Sequence, residues 1–174
     1  MEEVILVNED DQAIGTMEKM EAHRKGTLHR AFSVFVFNSN NQLLLQKRAR
    51  HKYHSGGLWS NTCCSHPREN ETLTDAGERR LREELGYSVP LNWCFSFIYR
   101  AELDQGLIEH ELDHVLIGNS DEIPNPNEDE VSDWTFMDLG QLESDMMIHP
   151  ENYTEWFKIV LPRVRDELNE YLKK

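Results

Sequence analysis

Apolar positions follow two different periods along this chain, and the switches between them mark its elements. Val4 to Val7 reads as a short strand, whereas Glu18 to Lys25 is polar and has no decisive period. Ala31 to Phe37 is apolar on both faces, the pattern of a strand buried from two sides. Asn38-Ser39-Asn40-Asn41 is a turn, and Gln42 to Lys47, with Leu43, Leu44 and Leu45, is the returning strand. Gly56 and Gly57 break the chain before Trp59. Thr74 to Leu85 takes the helical period: Leu81 and Leu85 lie one turn apart, Thr74 can cap the segment with Glu78 nearby, and Gly86 ends it.

Trp93 to Ala101 alternates again, with Trp93, Phe95, Phe97 and Tyr99 on one face and Cys94, Ser96 and Ile98 on the other. Glu109 to Gly118 is a further strand, Asp121 to Glu130 a loop with two prolines, and Val131 to Met137 another strand. In the tail, Tyr153, Trp156, Phe157, Val160, Leu161, Val164, Leu168 and Tyr171 recur at helical spacing. Pro150 can start that helix, and Pro162 is expected to kink or break it. The pattern predicts an α+β fold, a mixed, hairpin-rich sheet with helices packed on its faces. With no repeat, low-complexity tract or linker, residues 1–174 read as a single domain.

Composition narrows the function. The 174 residues, 39% apolar and 29% charged, suit a soluble domain with a real core. Eighteen basic against 32 acidic residues leave a net charge of −14, which argues against nucleic acid or an anionic membrane as partner. No apolar run approaches the ~20 residues needed to span a bilayer, and Met1-Glu2-Glu3 is no basic leader. Three cysteines, two of them adjacent, make no disulfide framework, so a reducing cytoplasm is the natural reading. Eight histidines are many for this length, and His23, His29 and His66 sit beside turn-forming or polar segments rather than in apolar runs.

Three constellations carry chemistry. Glu71, Arg79, Leu81, Glu83, Glu84 and Gly86 follow the spacing of the Nudix box, whose helix-borne glutamates hold metal on a diphosphate. Hard divalent cations favour such oxygens, although a solvated helix with charge pairs such as Glu78 and Arg82 gives the same residues. The box is broken: Ser65 stands where a glycine is expected, and Arg80 where a glutamate is expected. A cation in place of that carboxylate weakens any reading as a Nudix hydrolase.

The second is Asn61-Thr62-Cys63-Cys64-Ser65-His66-Pro67. In an extended segment Cys64 and His66 share one face while Cys63 points away. A buried structural cysteine is the ordinary alternative. The third is Glu109-His110-Glu111, where period two puts both carboxylates on one face with Asp113 beyond them. Two carboxylates that close raise each other's pKa unless a cation or donor satisfies them.

Together these stretches resemble type I isopentenyl diphosphate isomerase over essentially the whole chain. The resemblance rests on Lys19-x-x-x-His23, Leu28-His29-Arg30-Ala31-Phe32-Ser33, the Asn61 to Pro67 segment, Glu84-Leu85-Gly86, Tyr99-Arg100-Ala101 and Glu109-x-Glu111. It implies a Nudix-like fold that rearranges its substrate instead of hydrolysing it, which accounts for the broken box. By position it implies a divalent metal held by His23, His29, His66, Glu109 and Glu111, suited to Mn²⁺ or Mg²⁺ and able to take Zn²⁺. Cys64 and Glu111 match the catalytic pair, and Glu84 the residue that reaches a second metal, Mg²⁺ on the diphosphate. Lys19, Arg48, Lys52 and Arg80 match the basic residues around that diphosphate. Trp156 matches a lid aromatic, although Glu155 replaces the proline expected before it.

The implied reaction, a 1,3 proton shift giving dimethylallyl diphosphate, needs a placed acid and base, a dry pocket, and aromatic faces toward a carbocation. Cys64 and Glu111 can exchange the protons, Tyr99 can relay one to the carboxylate, and Trp59 and Trp156 are candidate walls. A small diphosphate is then the partner, and a cytoplasmic monomer the expectation. No flavin is expected, because no dinucleotide-binding glycine pattern follows a strand. The alternatives are a Nudix hydrolase of a nucleoside diphosphate derivative, which leaves Cys64 and the histidines idle, and a metal-binding module without turnover.

Overall fold

A computed structural model describes residues 1–172; Lys173 and Lys174, like the side chain of Tyr171, lie outside the described part. The first strands, β1 (Glu3–Val7) and β2 (Ala13–Glu18), form an antiparallel hairpin that leads into a short helix, α1 (Lys19–Lys25). The stretch from Glu18 that had no clear period thus contains a helix of seven residues. Its ends make up for its length: the Glu18 carboxylate accepts from the Met20 and Glu21 N–H groups, and Gly26 closes it at φ 64°.

The centre of the sheet is β3 (His29–Phe37), paired in parallel with β8 (Ile108–Asn119) along nine residue pairs. β7 (Asn92–Glu102) continues antiparallel from β8. On its other side β3 pairs with β6 (Cys63–Ser65), and β4 (Gln42–Arg48) pairs with β9 (Val131–Asp138) and the short β5 (Trp59–Ser60). The expected β3–β4 hairpin is therefore a splayed one, joined only at Phe37 and Leu43. Buried polar groups bridge the split. Thr62 Oγ1 donates to the Leu44 carbonyl and accepts from the Val36 N–H, and Gln46 donates to the Thr62 carbonyl.

Helices cover both faces, as the pattern predicts. α2 (Leu73–Leu85) lies on the side of Phe32, Val34, Val36, Cys63 and Leu116. α3 (Leu139–Ile148) and α4 (Glu155–Leu172) lie on the side of Phe35, Phe37, Val115 and Tyr99. Alternation along β3 feeds both cores, which is why that strand reads as apolar throughout.

Four local expectations change. Thr72, not Thr74, caps α2 by accepting from the Asp75 N–H. Gly86 does end that helix, and a side chain there would strike the Asn125 carbonyl oxygen. Pro150 opens a 3₁₀ turn (Pro150–Asn152) rather than α4, which runs on through Pro162. Trp93 leaves the Phe95–Phe97–Tyr99 face, because a bulge between Trp93 and Phe95 shifts the β7–β8 register by one residue and turns the indole outward.

Candidate active site

β6, β3 and β8 lie side by side, and their α4-facing side chains converge with those of α1 and the β4–β5 loop. They line an open pocket. Period two brings Glu109, Glu111 and Asp113 to this side of β8, His29 and Ser33 to this side of β3, and Cys64 to this side of β6. Cys63 points the other way, fully buried among Phe32, Val34 and Leu81. Lys19 and His23, four residues apart on α1, both enter the pocket.

The histidine rings are oriented by backbone. His23 Nδ1 lies 2.7 Å from the Lys19 carbonyl and His29 Nδ1 2.8 Å from that of Thr27. A neutral ring has one N–H, so these contacts leave each Nε2 with a free lone pair. His23 Nε2 is buried without a partner. His29 Nε2 stands 3.2 Å from His66 Nε2 and 3.4 Å from Glu111 Oε1, and His66 Nε2 is 3.1 Å from the same oxygen. One donor atom from each of His23, His29, His66 and Glu111 falls within 4.8 Å of the others. Adjacent ligands on a cation with ~2.1 Å bonds stand about 3 Å apart, so this donor set fits a divalent metal.

Glu109 belongs to a second, overlapping group with His23 and His54. The Tyr99 hydroxyl ties the two carboxylates together, 2.9 Å from Glu109 Oε2 and 2.7 Å from Glu111 Oε2. One hydroxyl proton cannot serve both, and the pair divides accordingly. Burial and the neighbouring Glu111 charge push Glu109 well above the carboxylate range. Burial also acts against charge on Glu111, but the His29 and His66 rings set against its Oε1 outweigh it and hold Glu111 well below that range. Burial lowers His66 to about 4 against the opposing pull of Glu111. Cys64 is half-buried, and burial, aided by the Asp113 charge, raises its thiol pKa.

The pocket also carries four basic side chains, largely paired. Lys19 meets Glu2 at 3.0 Å, Lys52 meets Glu130 at 2.5 Å, and Arg80 binds Glu83 and Glu84. Arg48 has no carboxylate partner among the described residues; its guanidinium lies 5.2 Å from the Trp156 ring centre and donates to the His54 carbonyl. Of the box residues, Glu84 reaches the pocket, where Gln46 also donates to it. Glu71 instead grips Arg79 with both oxygens, at 2.7 and 2.9 Å, outside it.

The pocket lining takes in Lys19, His23, Arg48, Lys52, Cys64, His66, Arg80, Glu84, Tyr99, Glu109, Glu111 and Trp156, with His29 buried just behind. Trp59 is not part of it. That ring packs on the α4 side of the core, and Tyr53 and His54 stand against the pocket instead. His54 stacks edge-on against Tyr53 and Trp156, and burial, with the Arg48 charge beside it, lowers it to about 2. Neither residue shows in the sequence pattern, because the β4–β5 loop has no period from which to read a face.

The fold and this site define a class. The NUDIX domain family model matches residues 27–157, and the DR0079 crystal structure from Deinococcus radiodurans superposes with a TM-score of 0.78 at 21% identity, covering 93% of this chain and 98% of that one. That likeness concerns the fold. Among curated proteins, isopentenyl-diphosphate Delta-isomerase 2 of Aromatoleum aromaticum is 55% identical over 163 residues, 94% of this chain and 86% of that protein. The isopentenyl-diphosphate Delta-isomerase of Pectobacterium atrosepticum is 52% identical over 94% of this chain and 92% of its own length. The chain belongs to the type I isopentenyl diphosphate isomerases of the Nudix superfamily.

Proposed function

We infer that this pocket interconverts isopentenyl and dimethylallyl diphosphate, with the isomerase relatives as the ground for the activity and the site as the ground for the mechanism. The observation that carries it is that Cys64 lines one pocket with the hydrogen-bonded pair Tyr99 and Glu111 and with the basic side chains Lys19, Arg48, Lys52 and Arg80. A five-carbon diphosphate matches that lining. Its phosphates face Arg48, Lys52, Lys19 and Arg80, and its alkene lies between the thiol and the carboxylate.

Cys64 and Glu111 exchange the two protons with carbon, one delivering and one removing, and Tyr99 holds the hydrogen bond through which Glu111 is aimed. Trp156, 4% exposed with Nε1 donating to Ser60 Oγ at 3.0 Å, presents a fixed aromatic face and helps keep water from the cationic carbon. His23, His29, His66, Glu109 and Glu111 would hold a divalent ion, Mg²⁺ or Mn²⁺ with Zn²⁺ as a further fit; bound there, it would supply Lewis acidity that sets the charge on Glu111. Glu84 is the residue that would face Mg²⁺ on the diphosphate. No helix among the described residues is long and apolar enough to cross a membrane. A monomer working in the cytoplasm, without flavin, completes the proposal.

Proton NMR of isopentenyl diphosphate with the protein in D₂O tests this reading. Double-bond migration with deuterium entering the product is the expected result. Release of phosphate without isomerisation would instead favour the hydrolase.

A further inference from the structure

Asp113 is a buried carboxyl that the reaction above does not use. It is 2% exposed on the pocket side of β8, and its Oδ1 has no hydrogen-bond partner among the described residues. Burying such a group with so little compensation is costly, which calls for a reason. Its other oxygen, Oδ2, accepts from Ser33 Oγ at 2.7 Å, and Ser33 Oγ is 3.4 Å from Cys64 Sγ. The three residues stand in a row on adjacent strands, with Ser33 directly opposite Cys64 in the β3–β6 ladder.

A serine hydroxyl has one proton, and here it points to Asp113, so Ser33 offers the sulfur only lone pairs. Asn61 does the same from the other side. Its Nδ2 donates to the Val34 and Cys63 carbonyls, at 3.1 and 3.0 Å, which fixes the amide so that Oδ1 faces Cys64 Sγ at 3.0 Å. Ser60 donates to that same oxygen at 2.9 Å, reinforcing its orientation. Among the described residues, the thiol therefore meets two acceptors and no donor in its wall.

We propose that Asn61, Ser33 and Asp113 are positioning residues that seat the Cys64 thiol as a hydrogen-bond donor, Asp113 acting through the Ser33 hydroxyl. The seat aims the one S–H and fixes the sulfur against the pocket, leaving substrate contact to Cys64 itself. This rests on the assignment of Cys64 to proton exchange, but the hydrogen bond can be read without turnover.

Infrared difference spectra of wild type against Cys64→Ala isolate the S–H stretch of that thiol. A band lowered by hydrogen bonding relative to the free-thiol position is expected, and a free-thiol band in wild type overturns the proposal. Ser33→Ala, and Asp113→Asn as a second variant, should each move the band. Each should also lower kcat about tenfold or more, since a placed proton donor contributes ~10²–10⁴-fold, with KM and metal content within about twofold. An unmoved band, or a loss confined to KM or to metal content, in a folded variant rejects the role. A wild type with the lowered band but no isomerisation would leave the seat standing and reject the reaction assigned to the pocket.

Discussion

Cys63 and Cys64 are neighbours in sequence, yet they live in different chemistries. Cys63 is wholly enclosed by Phe32, Val34, Leu81 and the rest of the α2-side core, whereas Cys64 is half-buried among polar groups beside Glu111. The same division runs through β3 and β8. One face of each strand packs apolar side chains such as Val34 and Leu116 under α2, and the other carries His29 and the carboxylates of the pocket. A one-residue slip would exchange the two sets, so this sheet builds a polar site only because register is pinned on both sides of β3.

The largest expected effect breaks the symmetry between the cysteines. Cys64→Ala should abolish isomerisation while folding and metal content stay nearly intact, and Cys64→Ser should keep at most a trace. Cys63→Ala should remain within roughly tenfold of wild type, with the loss appearing as lowered stability from a cavity. An epoxide analogue of the substrate should alkylate Cys64 and spare Cys63 and Cys94; peptide mapping that found the label on Cys63 would falsify the register argument.

Next come the groups that share the face of Cys64. Protein stripped by a strong chelator should be inactive and recover with Mn²⁺ or Mg²⁺. His23→Ala and His66→Ala should each weaken metal retention by about 10-fold or more, as loss of a supporting group at a metal site already costs that much. Full activity in rigorously metal-free protein would remove the metal from the reaction. Smaller still is Arg48→Ala, expected to raise KM about tenfold with kcat little changed, because its charge acts on the diphosphate in ground and transition states alike. Lys52→Ala should follow the same direction less strongly, since Glu130 already shares its charge. Equal kinetics in wild type and both variants would place the diphosphate elsewhere.

The smallest effect lies on the opposite face of β8. His114 accepts from Trp93 Nε1 at 3.0 Å and donates to Asp11 at 2.9 Å, with Arg30 also bound to Asp11. Burial lowers its pKa, against the pull of Asp11. A histidine whose folded pKa is depressed stabilises nothing by charging, so its cost is absent above the unfolded value of about 6.5 and grows as pH falls below it. The stability difference between wild type and His114→Gln should therefore narrow on going from pH 7 to pH 5, as followed by urea unfolding at each pH. A difference independent of pH would show that His114 titrates as in the unfolded chain.

Much of this arrangement was legible in the residues themselves. Period two alone placed Cys64 with His66 and Glu109 with Glu111, and separated Cys63 from them. The apolar run of β3 announced a strand between two cores, and the break at Arg80 marked a box whose helix turns Arg80 and Glu84 into the pocket. These are local facts, set by the alternation of side chains along a strand and the turn of a helix. Tertiary structure decided the rest. The insertion of β6 beside β3, which splays β4 away, depends on Thr62 and Gln46 satisfying backbone across the split. The bulge that turns Trp93 outward depends on pairing with β8. The row from Cys64 through Ser33 to Asp113 joins residues 31 and 80 positions apart, and His54 meets Glu109 only because its irregular loop folds over the pocket. No periodicity encodes such meetings. They arise from the packing and hydrogen bonding of segments distant in sequence, where register and the need to satisfy buried polar groups select one arrangement.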